Sequence, residues 1–367
     1  MNQIVEMNVS TPEQFIKAIR LSQNVFEDQT IINVTNSEES FARASELTSD
    51  IRYGVTSLYR STAGSFAGAQ LSQFSIQMIS DPFGKFSKLL INARYFNNSK
   101  ELNDLICVSA EIARLLNKKV RNHGDELEKM YLFDRWVRNT FEYKDTSQIK
   151  DHTAIELLKN RSGVCQAIAA IAVLVLSYMG VKVLYVAGTG KGSGGWGSHA
   201  WNAVKINGRW IHVDFTFSMN SFRLPSTKSG IEEQFFVKTH RWDTKEYSNR
   251  SMDSKWKSIS WKKEESINID VEADSCRING VEVRFSSKLL IKDDNKVLVD
   301  LASIVRLLGG GIELIPSTGA VNICVCNKRI VLKSALKHFH NGYFDQTVLD
   351  HIWKNKCTNN FELRIEI

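Results

Sequence analysis

Apolar residues recur at two periods along this chain, and the period changes with position. Near the start, Thr11-Pro12-Glu13-Gln14 reads as a helix opening: Thr11 caps, Pro12 sits in the first turn and Gln14 reaches back. Phe74, Ile76 and Met78 alternate with polar residues, as do Leu89, Ile91, Ala93 and Tyr95. Asp81-Pro82-Phe83-Gly84 between the two runs supplies turn residues, so the pattern predicts a β-hairpin. From 102 to 139 the period becomes helical, with Leu127, Met130, Tyr131 and Asp134 three or four apart. Asp151 is the expected cap of a further short helix through Ile155, Leu157 and Leu158. Residues 167–176 are apolar on every side, which marks a helix buried all round, and Gly180 closes it. Strands are expected over 181–186, 198–206 and 209–217, with a flexible Gly-rich loop over 188–197. Beyond residue 268, short alternating runs return (Val281, Val283, Phe285; Ile323, Val325, Asn327), around a helix over 299–308 that ends at Gly309-Gly310-Gly311.

These changes divide the 367 residues into three regions: 1–110, α+β; 111–263, a helix packed on antiparallel strands; and 268–367, a β-rich module. The fold class expected is α+β. Hydrophobic residues at 43% and charged residues at 24% exclude a disordered or collagen-like chain. The net charge of +7 is too mild to require nucleic acid. Residues 238–263 carry eight Lys/Arg against three Asp/Glu, interleaved with Trp242, Tyr247, Trp256 and Trp261. Without a nucleic-acid fold signature this reads as a solvated connector whose aromatics pack on neighbours, and no nucleic-acid partner is expected. The longest apolar run is well short of the roughly 18 residues that span a bilayer, so no transmembrane segment is expected. The first residues lack a signal-peptide pattern. Six cysteines without CxxC or zinc spacing predict a reduced, cytoplasmic setting with no metal or cofactor. A secreted or cell-surface protein trimmed of its leader gives the same pattern.

The chemistry concentrates in 160–217. The polar stretch Asn160-Arg161-Ser162-Gly163-Val164-Cys165-Gln166 runs straight into the buried helix, which puts Cys165 in its first turn. Free N–H groups and the positive end of the helix dipole favour a thiolate there. Asn207-Gly208 is a two-residue hairpin signal. If those two residues turn, Ile206 faces Arg209, His199 faces Thr216 and Trp201 faces Asp214. Asp214 is then the diagonal neighbour of His199 on one face, within reach of its ring. Cys165, His199 and Asp214 thus supply a nucleophile, a base and a group that orients the base. The backbone N–H of Cys165 is a natural oxyanion donor. His212, facing Ala203, is expected to be structural, and His152 to belong to a helix start. Gly190 to Gly195 match GxGxxG but lie between strands, which excludes a dinucleotide site. Asp293-Asp294-Asn295 reads as a turn. Trp196 in the Gly-rich loop, with Trp201 and Gln166, is the expected substrate-binding set.

These motifs resemble the transglutaminase-like superfamily of papain-like folds. The residues that carry the resemblance are Gly163-Val164-Cys165, His199-Ala200-Trp201-Asn202 and Trp210-Ile211-His212-Val213-Asp214-Phe215-Thr216. Phe133-Asp134, Phe141-Glu142-Tyr143 and Gln234-Phe235-Phe236-Val237 extend it to about 115–245. The resemblance implies catalytic roles for Cys165, His199 and Asp214. The chain departs from the family at Phe217, where many members have Trp, and at Ser218, where many have Asp. Lys159 stands where papain-like proteases have an oxyanion Gln. The last region is similar to the copper amine oxidase N-terminal-like domain through Ile278-Asn279-Gly280-Val281, Val297-Leu298-Val299-Asp300 and Leu307-Leu308-Gly309-Gly310. That implies an accessory module without copper chemistry, and a cell-surface or protein partner. Together the readings predict thiol-dependent acyl transfer on peptide or protein amides, as a cysteine peptidase or a transglutaminase. The alternative is a non-catalytic binding or assembly protein that keeps the fold.

Overall fold

The structure is a computed structural model, and it describes residues 4–35, 69–121, 125–144, 148–220, 238–244, 267–271, 274–278, 280–293, 296–325, 328–332, 339–340, 343–345 and 361–365. Tyr247, Trp256, Trp261, the 234–237 stretch and Asp294-Asn295 lie outside the described residues. The fold is mixed α+β, as the periodicities predict. The chain divides into two compact units, one drawn from 1–56, 72–107 and 261–367, the other from 57–71 and 108–260.

The first unit joins both ends of the sequence. Its eight-stranded sheet runs in the order Phe361–Ile365, Ile267–Val271, Ser275–Ile278, Val281–Phe285, Ile4–Val9, Gln29–Val34, Phe86–Tyr95, Leu71–Ser80. Ile4–Val9 pairs antiparallel with Val281–Phe285, for example Met7 with Val283. Regions 1–110 and 268–367, expected as two modules, therefore share one sheet. Sequence pattern missed this because cross-strand partners some 275 residues apart leave no local trace. Local expectations fared better. Thr11 caps the Pro12–Val25 helix through the Gln14 N–H, and the Gln14 carboxamide reaches back to the Ser10 N–H at 2.8 Å. The turn before Phe86 is closed by Asp81, whose Oδ1 accepts from the Phe83 and Lys85 N–H groups. Gly84 there takes a φ of +79°, open to glycine without strain.

The second unit carries the residues of interest. The stretch read as one helical period resolves into two helices: Ser99–Asn117, of which the second unit takes 108 onward, and Glu126–Thr140, capped by Asp125. The short helix Ala154–Asn160 is capped by Thr153 rather than Asp151, because a 3₁₀ turn over Ile149–His152 intervenes. The helix Cys165–Tyr178 is buried along its whole apolar run from Ala167 to Leu176. It packs on a four-stranded antiparallel sheet ordered His240–Arg241, Val183–Gly192, Gly195–Ile206, Arg209–Val213. Buried Asn202 donates its amide to the carbonyls of Ala169 and Leu184, and so ties the His199 strand to the Cys165 helix.

Two expectations change here. The Gly-rich segment is no loop: residues 183–192 pair continuously with 195–204 down to Gly192 opposite Gly195. Its glycines serve close approach. A Cβ on Gly190 would lie 2.8 Å from the His199 ring, and one on Gly188 would lie 2.3 Å from the Arg241 carbonyl and 2.6 Å from Trp201. The strand expected to reach residue 217 ends at Val213, and Phe215–Asn220 is helical. Asp214 forces that change by capping the new helix: its Oδ1 accepts from the N–H groups of Thr216 and Phe217 at 2.9 and 3.0 Å. The Asn207-Gly208 turn forms with both residues at positive φ and sets Ile206 opposite Arg209 and Asn202 opposite Val213.

Candidate active site

That register carries Asp214 to His199, and Asp214 Oδ2 lies 2.7 Å from His199 Nε2. A carboxylate only accepts, so Nε2 carries the hydrogen and Nδ1 is left for the Cys165 thiol, which is within hydrogen-bonding reach of the ring. Burial by itself would lower the His199 pKa. The hydrogen bonds from Asp214 and Cys165, and their charges, outweigh it and raise the value to about 10. Asp214 is buried, which alone would push its pKa up. Bonds from His199 and from a second histidine, His240, reverse that and hold it below the usual carboxylate range. Cys165 heads its helix with Val164 as a cap that offers no side-chain acceptor. Cys165 is half-buried, whereas Cys107, Cys276 and Cys324 are buried.

His240 is the residue the sequence reading missed. Its Nε2 lies 2.9 Å from the same Asp214 oxygen, and its Nδ1 2.8 Å from Thr239 Oγ1. It arrives on the edge strand His240–Arg241, where His240 pairs with Gly190. The available signal was glycine at every second position (188, 190, 192), the mark of a strand approached closely on one face. His199, Asp214 and His240 form the one group of three or more potential metal ligands among the described residues. Their separations of 2.7 and 2.9 Å are those of hydrogen bonds. Ligands of a tetrahedral ion held at roughly 2.05 Å stand about 3.3 Å apart. The set as placed is a proton-sharing cluster.

Residues 113–215 match the profile of the transglutaminase-like superfamily. The chain carries a transglutaminase-like domain. Members of that superfamily are generally thiol-dependent enzymes. The mouse Kyphoscoliosis peptidase is 24% identical over 163 residues, which cover 41% of this chain and 25% of that protein. The chain thus spans about a quarter of that relative's length. Among solved structures, a TGase is 13% identical with a TM-score of 0.28, covering 57% of this chain and 55% of its own. The periplasmic domain of TgpA from Pseudomonas aeruginosa is 17% identical with a TM-score of 0.23, covering 40% and 62%. Among the described residues, no helix of the chain is long and apolar enough to cross a membrane.

The other predicted residues fall around the transglutaminase-like domain in different ways. Trp201 is 1% exposed and offers no surface to a substrate. It stacks behind His199 at 5.9 Å and meets His240 edge-on at 4.8 Å. The strand alternation that aims His199 also buries Trp201, two residues on. Gln166 is held between the Ala69 carbonyl at 2.9 Å and His152 Nδ1 at 3.3 Å. Trp196 is exposed, with the Arg241 guanidinium 4.1 Å from its ring centre. Trp242, the described aromatic of the basic stretch, packs on His212 and Trp201, as a connector aromatic should. Lys159 pairs with Glu156 on its own helix. Ser218 donates to buried Asp134, which also accepts from Arg138 at 3.1 Å. That bond ties the Phe215–Asn220 helix to Glu126–Thr140. Burial raises the Asp134 pKa against the pull of Ser218 and Arg138.

His212 is a support. Its Nδ1 accepts the Trp201 indole N–H at 2.9 Å, and burial, then the charge of His240, lowers its pKa to about 4. The unfolded chain binds this proton near pH 6.5 and the folded one does not until about pH 4. Stability is therefore lost as pH falls through that window, by on the order of 3 kcal/mol. His212→Asn keeps an acceptor for Trp201 and does not titrate. Denaturant melts at pH 7 and pH 4.5 should show the variant losing less stability than wild type. Equal losses would contradict this.

Proposed function

We propose that the chain is a thiol-dependent acyl-transfer enzyme acting on peptide or protein amides, with Cys165, His199 and Asp214 as its catalytic residues. The observation that carries the reading is the Asp214–His199 hydrogen bond, with Cys165 beside the His199 ring at the start of a buried helix. Asp214 holds the tautomer of His199 whose Nδ1 takes the thiol proton. The thiolate attacks the amide carbonyl, and the developing oxyanion lies toward the Cys165 N–H at the helix start. The His199 imidazolium then protonates the departing amine and leaves a thioester. Water, deprotonated by His199, releases an acid; a primary amine in its place gives a new amide.

Hydrolysis is the outcome we put first, since the mouse relative is named as a peptidase. The test is incubation of the full chain with dimethylcasein and a fluorescent primary amine, read for both peptide release and amine incorporation. Peptide release abolished by prior alkylation of Cys165 supports hydrolysis, and amine incorporation supports transamidation. Neither product, from a protein whose Cys165 is inert to alkylation, would favour the binding-protein reading. Trp196 with Arg241 is the exposed aromatic and cationic pair we assign to substrate contact. Trp196→Ala should reorder the rates at which a peptide panel is cleaved, and an unchanged ranking would contradict the assignment.

A further inference from the structure

His240 has no part in the chemistry above, yet it is fully buried against the centre of it. Asp214 has room for about four donors, two on each oxygen. All four places are filled: Thr216 and Phe217 N–H on Oδ1, and His199 and His240 Nε2 on Oδ2. The backbone donors fix one oxygen, and the two histidines share the other.

We propose that His240 is a positioning residue for His199: by donating Nε2–H to Asp214 Oδ2 it pins the oxygen that holds the imidazole on the Cys165 thiol. The inference rests on the proposed Cys–His–Asp reading and extends it to a fourth side chain. Asp214 sets the donor, because a carboxylate only accepts and Nε2 must carry the hydrogen. Nδ1 of the neutral ring then accepts from the Thr239 hydroxyl, 2.8 Å away. The ring is further wedged by Trp201 at 4.8 Å and Phe217 at 5.1 Å. The edge strand that carries it pairs with Gly190 and lies close on Gly188, where a Cβ would collide with the Arg241 carbonyl. A two-residue edge strand and a Thr-His pair thus bring one ring nitrogen to the carboxylate oxygen that holds His199. The titratable groups that face His240 among the described residues are Asp214, His199 and His212, with Cys165 beyond His199.

The geometry separates two isosteres. A Gln amide nitrogen overlays the Nε2 position and can still donate to Asp214. An Asn amide overlays Nδ1 and stops short. The experiment is the pH dependence of Cys165 alkylation by iodoacetamide in the full chain, read by peptide mass, for wild type, His240→Gln, His240→Asn and His240→Leu. A thermal melt confirms that each is folded. The expected result is an upward shift of about one pH unit in the alkylation midpoint for Asn and Leu, a tenfold loss of thiolate below the midpoint. Gln should recover most of it. A role in packing alone would rank the variants by volume and stability and leave the midpoint in place. Should Leu not fold, the Gln–Asn contrast still decides. Equal midpoints for Gln and Asn, or a midpoint that stays or falls in Asn, overturn the proposal. A wild-type midpoint like that of an ordinary thiol would instead sink the Cys–His–Asp reading beneath it, which keeps the two failures apart.

Discussion

Asp214→Asn should lower turnover by about 10³–10⁴-fold, because the amide cannot make the bonds the carboxylate makes. Oδ2 accepts from two histidines and Oδ1 from two backbone N–H groups. An asparagine has one oxygen to offer, and its NH₂ must face donors on one side or the other. With the oxygen toward Thr216 and Phe217, the NH₂ meets His199 Nε2. The imidazole then moves its hydrogen to Nδ1, where it faces the thiol and cannot take the proton. The stabilisation that raises the His199 pKa to about 10 goes with the carboxylate's charge. The alkaline limb of the pH–rate profile should therefore move down from near 10 toward the ordinary imidazole range. Stability should fall by about 1–3 kcal/mol for the donor left unpaired. Turnover within tenfold of wild type, or an unmoved alkaline limb, would remove Asp214 from the proposed mechanism.

Gly190→Ala is expected to disable the site without replacing a proposed catalytic residue. Its Cβ would sit 2.8 Å from Cδ2 and 2.9 Å from Cγ of His199, closer than carbon atoms pack. The ring has little room to retreat, with Trp201 stacked on one side and Phe217 5.0 Å away. A displacement of about 1 Å in a catalytic group costs on the order of 10²-fold in rate. The overpacking should cost about 1–3 kcal/mol of stability besides. The same substitution at Gly192 or Gly194, where a Cβ meets nothing within 4 Å, is the control and should leave turnover near wild type. Comparable losses at all three positions would mean that flexibility of the hairpin, and not clearance for His199, is what the glycines provide.

The contrast between those glycines also marks what the sequence could tell. The Asn207-Gly208 turn carried the whole register of its hairpin, and a count of residues outward from it brings Asp214 to His199. The all-round apolar run 167–176 fixed the Cys165 helix as buried. Both are local signals, set by turn chemistry and helix period. His240 could not be found in this way. It lies 26 residues after Asp214 in a basic stretch, and its neighbourhood depends on an edge strand pairing with the far side of the hairpin. Trp201 was misjudged for a related reason: an aromatic next to a catalytic motif looks the same in sequence whether it lines a cleft or backs the histidine. The shared sheet of the two chain ends rests on pairs such as Val5 with Phe285, which no local period encodes.

The central claim is that Cys165 and His199 form a reactive pair at neutral pH and below. The most direct measurement is limiting iodoacetamide on the wild-type chain from pH 5 to pH 9, with each cysteine's labelling read by peptide mass. An ordinary thiol is only about 0.3% thiolate at pH 6. Buried thiols serve as internal controls: the Cys324 contact and burial push Cys107 up, and burial pushes Cys276 up to about 12. Cys165 should be labelled first, and already at pH 6, where an ordinary thiol barely reacts. Labelling of Cys165 that rises only near pH 8.5, or no faster than that of the other cysteines, would contradict it.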